Sequence, residues 1–206
     1  MENFDLMARD FDTDKRIIRA KVIANEIRGH ILAGGKSAIE FGCGTGLVGL
    51  QLADCFKTLL LIDSSVEMVC QVERKLEGLN NPAVSTLCCD LLEDVPENLR
   101  VDFIFSSLVL HHIPDTKAIL RRFHAMLNDG GHLLIVDIGE DDGSFHAKYP
   151  DFDGHDGFSH FALTELALKA GFSLVNIETF YHDSKVFNGM ESPYSLFILD
   201  AAKGGA

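Results

Sequence analysis

Apolar positions along this chain repeat first at helical spacing and then in alternation between helix-like and strand-like segments. In the first thirty-odd residues, apolar side chains from Ile17 to Ile31 recur every three or four positions, and Gly34-Gly35 is expected to stop that helix. Short apolar runs then predict strands at 37–41, 58–62, 83–89, 101–107, 132–138, 172–180 and 194–201. Amphipathic stretches predict helices at 46–55 and 66–76, after Asp115, and at 159–170.

This order of elements predicts an α/β fold in three layers. Nearly continuous apolar strands that alternate with helices indicate a mostly parallel sheet with helices on both faces. The last two strands have no convincing helix between them, so they are compatible with an antiparallel pair at one sheet edge. At 206 residues, the chain is expected to form a single domain.

Composition narrows the classes of partner. The formal net charge is −13, from 18 basic and 31 acidic residues, and such a field repels nucleic acid and anionic membranes. We therefore expect a small-molecule substrate, with no nucleic acid or membrane partner. The start of the chain lacks a secretory signal, and the five cysteines include no C-x-x-C pair. These features favour a cytoplasmic protein with reduced thiols and no structural zinc.

Acidic residues end several of the predicted strands. Glu40 closes the first strand and opens the glycine-rich turn 42–46, whose glycines allow a close backbone approach to a ligand. Asp63, Asp90 and Asp137 end the second, third and fifth strands. Because carboxyl ends of parallel strands meet at one sheet edge, where α/β folds bind ligands, we expect these acids to share a site. A carboxylate at the second strand end suits a ribose diol.

The E-x-G-x-G-x-G segment, together with the later acids over about 38–137, resembles class I S-adenosylmethionine-dependent methyltransferases. The segments 157–158 and 170–172 resemble, more weakly, the members of that group that act on small molecules. The resemblance implies a Rossmann-like sandwich, a seven-stranded sheet with an antiparallel edge pair, and S-adenosylmethionine as cofactor. It divides the single domain, 1–206, into a helical segment over 1–35, serving as a lid or for packing, and a cofactor-binding core over 36–206. The amino-terminal apolar residues fit both roles of that segment.

The resemblance also implies roles for individual residues. The glycines would pass beneath the methionine part of the cofactor, Asp63 would bind the ribose, and Asp90 would read the adenine edge. The full cofactor-binding set is Glu40, Gly42, Cys43, Gly44, Gly46, Asp63, Ser64, Met68, Asp90, Leu91 and Ser106.

A base could remove a proton from a hydroxyl, thiol or protonated amine acceptor. Histidine suits that task near neutral pH, and we take His111, His112 and Asp137 as the catalytic candidates, since a His-His-Ile-Pro-Asp segment is common in the resembled enzymes. Further candidates after the later strands are His155, His160, Tyr181 and His182. The 151–153 segment and its neighbouring histidines fit no compact metal motif, so no metal is expected.

Two other functions are compatible with the sequence. The 44–49 segment matches G-x-G-x-x-G, the dinucleotide fingerprint, which would make the protein an NAD-linked oxidoreductase. Glu40 argues against this function, because its carboxylate would lie near the pyrophosphate entrance. The other is a non-catalytic S-adenosylmethionine-binding regulator. The acceptor, the methylated atom and the oligomeric state stay open at this point.

Overall fold

The computed structural model describes residues 4–31, 36–79, 81–93, 96, 99–141, 143–146, 152–187 and 190–205. Its strands are β1 (Ser37–Phe41), β2 (Thr58–Asp63), β3 (Val84–Cys88), β4 (Val101–Ser107), β5 (Leu127–Ile138), β6 (Phe172–Phe187) and β7 (Met190–Lys203). Its α-helices are α1 (Phe4–Met7), α2 (Asp14–His30), α3 (Gly49–Leu52), α4 (Val66–Leu79), α5 (Thr116–Met126) and α6 (His160–Ala170). Short 3-10 turns are formed by Ala8–Asp10, Ala53–Cys55, Leu110–His112 and Ser144–His146.

The strands form one sheet in the order β3-β2-β1-β4-β5-β7-β6. Neighbours from β3 to β5 run parallel, whereas β7 is antiparallel to both β5 and β6. The predicted fold class, including the antiparallel pair at one edge, is confirmed. The carboxyl ends of β1 to β5 therefore face the same side of the molecule.

Successive residues of the central strands enter two different cores. Phe103 and Phe105 of β4 pack in a core with α2 and α3, while Ile104 packs on the other face with α5 and α6. All three side chains are fully buried. This alternation follows from the two-residue period of a strand and gives the three layers.

Helix caps explain where two helices begin. Thr13 accepts a hydrogen bond from the Arg16 N–H and caps α2, and Asp115 accepts one from the Ala118 N–H and caps α5, as predicted. The first thirty residues were expected to form one helix, but α1, a 3-10 turn and α2 replace it, because the Thr13 cap starts α2 anew. The predicted stop at 34–35 lies outside the described residues.

Two element boundaries differ from those expected. Helix 46–55 is wrong in extent: Gly46 adopts φ +78°, a left-handed conformation that a helix cannot contain, so α3 starts only at Gly49. Residues 128–131 were expected to be a turn, yet they open β5. Gly130, at φ +73°, accompanies the register shift between Val101 and Phe103 that keeps this segment beside β4.

The last two strands are longer than 172–180 and 194–201. Pairing between β5 and β7 ends at Ile138–Leu196, but β6 and β7 remain paired from Tyr181–Leu196 to Phe187–Met190. This extension, residues 181–187 with 190–196, is called the hairpin arm below. It continues past the carboxyl end of β5, with Tyr194 and Leu196 buried in the core and the rest of the arm largely polar. This polar composition explains why most of the arm gave no strand signal in the sequence.

The length and apolar composition of the helices were compared with what a membrane span requires. In the part of the chain that the structure describes, none has the combined length and apolar composition needed to cross a bilayer.

Candidate active site

The glycine-rich loop after β1 has the conformation that only glycine adopts easily. Gly42, Gly44 and Gly46 all have positive φ angles, between +52° and +78°. A Cβ on Gly42 would lie 2.4 Å from a methyl carbon of Val109. The loop therefore passes close to the segment after β4, and side chains larger than hydrogen are excluded there.

Glu40 is buried at the end of β1, with 1% of its surface exposed. Its Oε2 has no hydrogen-bond partner among the described residues, and the space beside it exists because Gly49 lacks a Cβ, which would lie 2.1 Å from this oxygen. Burial raises the pKa of Glu40 well above its usual value; the Gly49 N–H opposes the shift and the Asp63 charge adds to it. A buried carboxyl with an unmatched oxygen suits a polar or cationic ligand.

Asp63 joins the loop to the next helix. Its Oδ2 accepts a hydrogen bond of 2.7 Å from the Gly44 N–H, and its Oδ1 accepts one of 2.9 Å from the Ser65 N–H. Burial raises the pKa of the Asp63 carboxyl, although both backbone bonds act in the opposite direction. The residue both fixes the loop and borders the cavity described below.

The segment 4–13 lies against this loop. Asp12 accepts a hydrogen bond from the Thr45 hydroxyl and pairs with Lys75 at 2.7 Å, and Asp5 accepts one from the Ser65 hydroxyl. The Phe11 ring lies 3.8 Å from where a Gly44 Cβ would be. The segment thus packs against the glycine-rich loop and the start of α4.

A histidine–aspartate pair lies beyond β4 and β5. The Nδ1 of His111 is 2.6 Å from Asp137 Oδ1, and Asp137 also accepts hydrogen bonds from the His111 and Ile138 backbone N–H groups. Asp137 is fully buried and His111 is 3% exposed. When the Nδ1–H group donates its hydrogen bond to this carboxylate, the Nε2 atom of His111 is left as the acceptor nitrogen.

Two further histidines flank this pair. Ring centroids of His112 and His146 lie 4.1 Å and 5.0 Å from that of His111, and Phe152 stacks on His146 at 3.6 Å. Burial, reinforced by the nearby His111, lowers the pKa of His112 to about 3 and that of His146 to about 4. Both rings are therefore neutral at pH 7.

One cavity of about 490 Å³ joins the loop to the histidines. The cofactor-binding and catalytic candidates that border it are Glu40, Gly42, Cys43, Gly44, Asp63, Ser64, Met68, Asp90, His111 and His112. Four candidates are absent from its wall. Gly46 packs against Leu50, Leu91 is fully buried, Ser106 donates its hydroxyl hydrogen bond to the Phe41 carbonyl, and Asp137 lies behind His111.

The other catalytic candidates, His155, His160, Tyr181 and His182, do not border this cavity. His155 contacts the Ile113 carbonyl and the Thr116 hydroxyl instead, which gives it a structural role. Among the described residues, ligand-type atoms cluster at metal-binding spacing in the group Glu26, His30 and Glu178, which is also outside the cavity wall.

Sequence reasoning missed several cavity residues. Arg16 and Arg19 of α2 border it, as do Phe145, His146 and Lys185. The arginines are three residues apart, so they share one helix face, a signal that was available in the sequence. Lys185 carried no such signal, because the hairpin arm brings it to the cavity.

A family profile described as "Methyltransferase domain" matches residues 16–177. The chain belongs to this family of methyltransferase domains, which confirms the resemblance found in the sequence. A methyltransferase of Schizosaccharomyces pombe, itself named as uncharacterized, is 26% identical over 158 residues, covering 73% of this chain and 56% of that protein. Phosphoethanolamine N-methyltransferase 2 of Caenorhabditis elegans is 29% identical over 149 residues, covering 70% of this chain and 34% of that protein.

Solved structures share the fold. Phosphoethanolamine N-methyltransferase 2 of Haemonchus contortus, in complex with phosphomonomethylethanolamine and S-adenosylhomocysteine, superposes with a TM-score of 0.76 at 18% identity, covering 99% of this chain and 61% of that one. Magnesium protoporphyrin IX methyltransferase of Synechocystis, with bound S-adenosylhomocysteine, gives 0.66 at 15% identity, covering 92% and 84%. The chain therefore spans only part of the length of several relatives.

Proposed function

We propose that this protein is an S-adenosylmethionine-dependent methyltransferase that acts on a small-molecule acceptor. The observation that carries the proposal is the single cavity bordered by the glycine loop, the strand-end acids and His111. Family membership supports the reaction class. The unmatched Glu40 oxygen and the glycine-rich loop support the assignment of the cofactor to this part of the cavity.

The cofactor would occupy the half of the cavity next to β1, β2 and β3. Asp63 would accept hydrogen bonds from the ribose hydroxyls, Asp90 from the adenine amine, and Met68 would pack on the adenine face. Glu40 would lie near the sugar and amino-acid portion. Ser106 would hold the methionine amino group through its backbone carbonyl, and the backbone of Leu91 would read the adenine edge.

When bound, S-adenosylmethionine supplies an electrophilic methyl group on a sulfonium that is a good leaving group. The protein then has to align the acceptor, exclude water and remove a proton. His111 would take that proton at Nε2, and Asp137 would hold the ring in the required tautomer and stabilise its charged form. Segment 4–13 and the aromatic rings around His112 would exclude water.

Charge and cysteine content support a small-molecule acceptor and a cytoplasmic location for the protein. The net charge of −13 disfavours nucleic acid as a substrate, and the five cysteines are all free thiols.

Isothermal titration calorimetry with S-adenosylmethionine, S-adenosylhomocysteine and NAD tests the cofactor assignment. We expect the first two to bind and NAD not to bind. Asp63→Ala should weaken S-adenosylhomocysteine binding by about tenfold or more, because charge-assisted hydrogen bonds are lost. Asp54→Ala, which removes the same charge at an exposed pair with Arg28, should leave the affinity unchanged.

Asp63→Asn provides a second variant if the alanine form does not fold, which circular dichroism would show. A folded wild-type protein that binds neither S-adenosyl compound would refute the proposal. A protein that binds them but transfers no methyl group across hydroxyl, thiol and amine acceptors would be a binding protein rather than an enzyme.

A further inference from the structure

The half of the cavity away from the strand-end acids is built around Phe145. The Lys185 Nζ lies 3.0 Å from the Phe145 ring centroid and donates a hydrogen bond of 3.2 Å to the Phe145 carbonyl. Tyr194 packs edge-on against the same ring at 5.0 Å, and Arg19 is near enough to Tyr194 for its charge to oppose the burial that raises the pKa of that phenol. Lys185 and His146 therefore lie against one aromatic ring, and Arg19 borders the same cavity.

Strand order keeps Lys185 apart from the strand-end acids. Asp63 and Asp90 follow β2 and β3 on one side of β1, whereas Lys185 comes from β6 at the opposite edge of the sheet. Arg16 belongs to the acidic side, since its guanidinium lies 4.1 Å over the Phe11 ring that packs on the glycine loop. The cavity is thus polarised, although the chain as a whole is strongly acidic.

The hairpin arm fixes the basic side in place. Lys15 of α2 pairs with Asp183 at 3.4 Å and donates a hydrogen bond to the Ser184 carbonyl. Asp183 also accepts a hydrogen bond from the Tyr194 hydroxyl. The Asp183 carboxylate is thus paired with Lys15 and Tyr194. Among the described residues that border the cavity, Asp153 belongs to the segment that also carries Phe152.

His146 adds an independent sign of a ligand. It is 5% exposed, borders the cavity, and its Nδ1 atom has no hydrogen-bond partner among the described residues. The exposed carboxylate of Asp156 lies 4.0 Å from this nitrogen, which is beyond hydrogen-bond distance. A buried ring nitrogen of this kind is costly unless a ligand or water satisfies it. The nearby positive charge of Lys185 contributes to the lowered pKa of His146. A bound anion would be attracted to Lys185 and would offset the effect of its charge on His146.

We propose that Lys185, Arg19 and His146 form an anion subsite that binds a carboxylate or phosphate group of the methyl acceptor, an inference that rests on the proposed function. The anionic group is held at the hairpin-arm end, and the atom to be methylated points towards His111 in the middle of the cavity. Acceptors without a negative group lack this anchor.

Calorimetry with two probe anions, inorganic phosphate and acetate, tests the subsite on protein saturated with S-adenosylhomocysteine at constant ionic strength. We expect at least one anion to bind saturably, and the tighter of the two identifies the acceptor group as phosphate or carboxylate. Lys185→Met should weaken that binding by about tenfold, the effect of one lost charge-assisted hydrogen bond. Lys169→Met is the matched control, because Lys169 is exposed and pairs with Glu165 outside the cavity.

The subsite is refuted if neither anion binds, if Lys169→Met weakens binding as much as Lys185→Met, or if a parallel titration shows that the anion binds only to protein free of S-adenosylhomocysteine. The last result would place the anion at the cofactor's own carboxylate position. If S-adenosylhomocysteine does not bind, but the anion still binds in a Lys185-dependent way, the subsite stands and the methyltransferase proposal fails. The two failures are thereby distinguishable.

Discussion

Gly49 is the residue whose replacement tests most directly how the cofactor loop is built. It opens α3, and a Cβ there would lie 2.1 Å from Glu40 Oε2 and 2.6 Å from a Leu61 methyl carbon. Leu61 is fully buried and Glu40 is 1% exposed, so neither can simply swing into solvent. Glu40 could relieve the clash only by moving into the cavity, where its carboxyl would obstruct the ligand.

Gly78 in α4 is the matched control, since a Cβ at this position would meet nothing within 4 Å. Alanine is favoured over glycine in a helix by up to about 1 kcal/mol, so Gly78→Ala should stabilise the protein slightly. Overpacking a buried site costs about 1–3 kcal/mol, so Gly49→Ala should destabilise it. The free energies of unfolding of the two variants should therefore differ by about 1–4 kcal/mol.

Urea unfolding followed by circular dichroism measures this difference, and calorimetry measures the affinity for S-adenosylhomocysteine. For a chain of this size, melting temperatures should separate by about 2–4 °C per kcal/mol. We expect weaker cofactor binding in Gly49→Ala and unchanged binding in Gly78→Ala. A Gly49→Ala protein as stable as Gly78→Ala, with wild-type affinity, would refute the packing of Glu40 described above.

Three further outcomes are expected. Asp137→Asn should lower the free energy of unfolding by about 1–3 kcal/mol, because its amide group must face one backbone N–H donor. The same variant should slow methyl transfer by about 10²–10⁴-fold while its affinity for S-adenosylhomocysteine stays within twofold. A normal turnover rate would show that His111 is not the base. His112 and His146 take up protons in the unfolded chain below about pH 6.5, but in the folded protein only near their lowered pKa values of about 3 and 4. The free energy of unfolding should therefore decrease as the pH is lowered through this window, by up to about 1.4 kcal/mol per pH unit for each histidine. Urea titrations from pH 7 to 5 should show a shallower slope when both are replaced by glutamine, and an equal slope would contradict the assignment. Burial raises the pKa of the Cys43 thiol, so iodoacetamide should alkylate it more slowly than the other four cysteines in peptide mass spectra, and early modification would show that the loop opens.

The cofactor half of the site was predictable because its residues follow one another along the chain. Parallel strands bring their carboxyl ends to one edge, so the spacing of Glu40, Asp63 and Asp90 was sufficient to place them beside one cavity. The glycine pattern likewise specified positive φ angles. By contrast, the sequence indicated Gly46 and Ser106 as cofactor-binding residues as strongly as these acids, and only the packing shows that the two residues lie away from the cavity wall.

The sequence by itself determined the layered α/β fold and the acidic, glycine-lined end of the cavity, since both depend on local periodicity and on strand order. The tertiary structure decided the opposite end. Lys185, His146 and Arg19 come from a hairpin arm, a short 3-10 turn and a helix that are far apart in the chain, and only the tertiary packing brings them to one cavity wall. Contacts of this kind depend on long-range shape, which no local pattern of apolar and polar residues encodes.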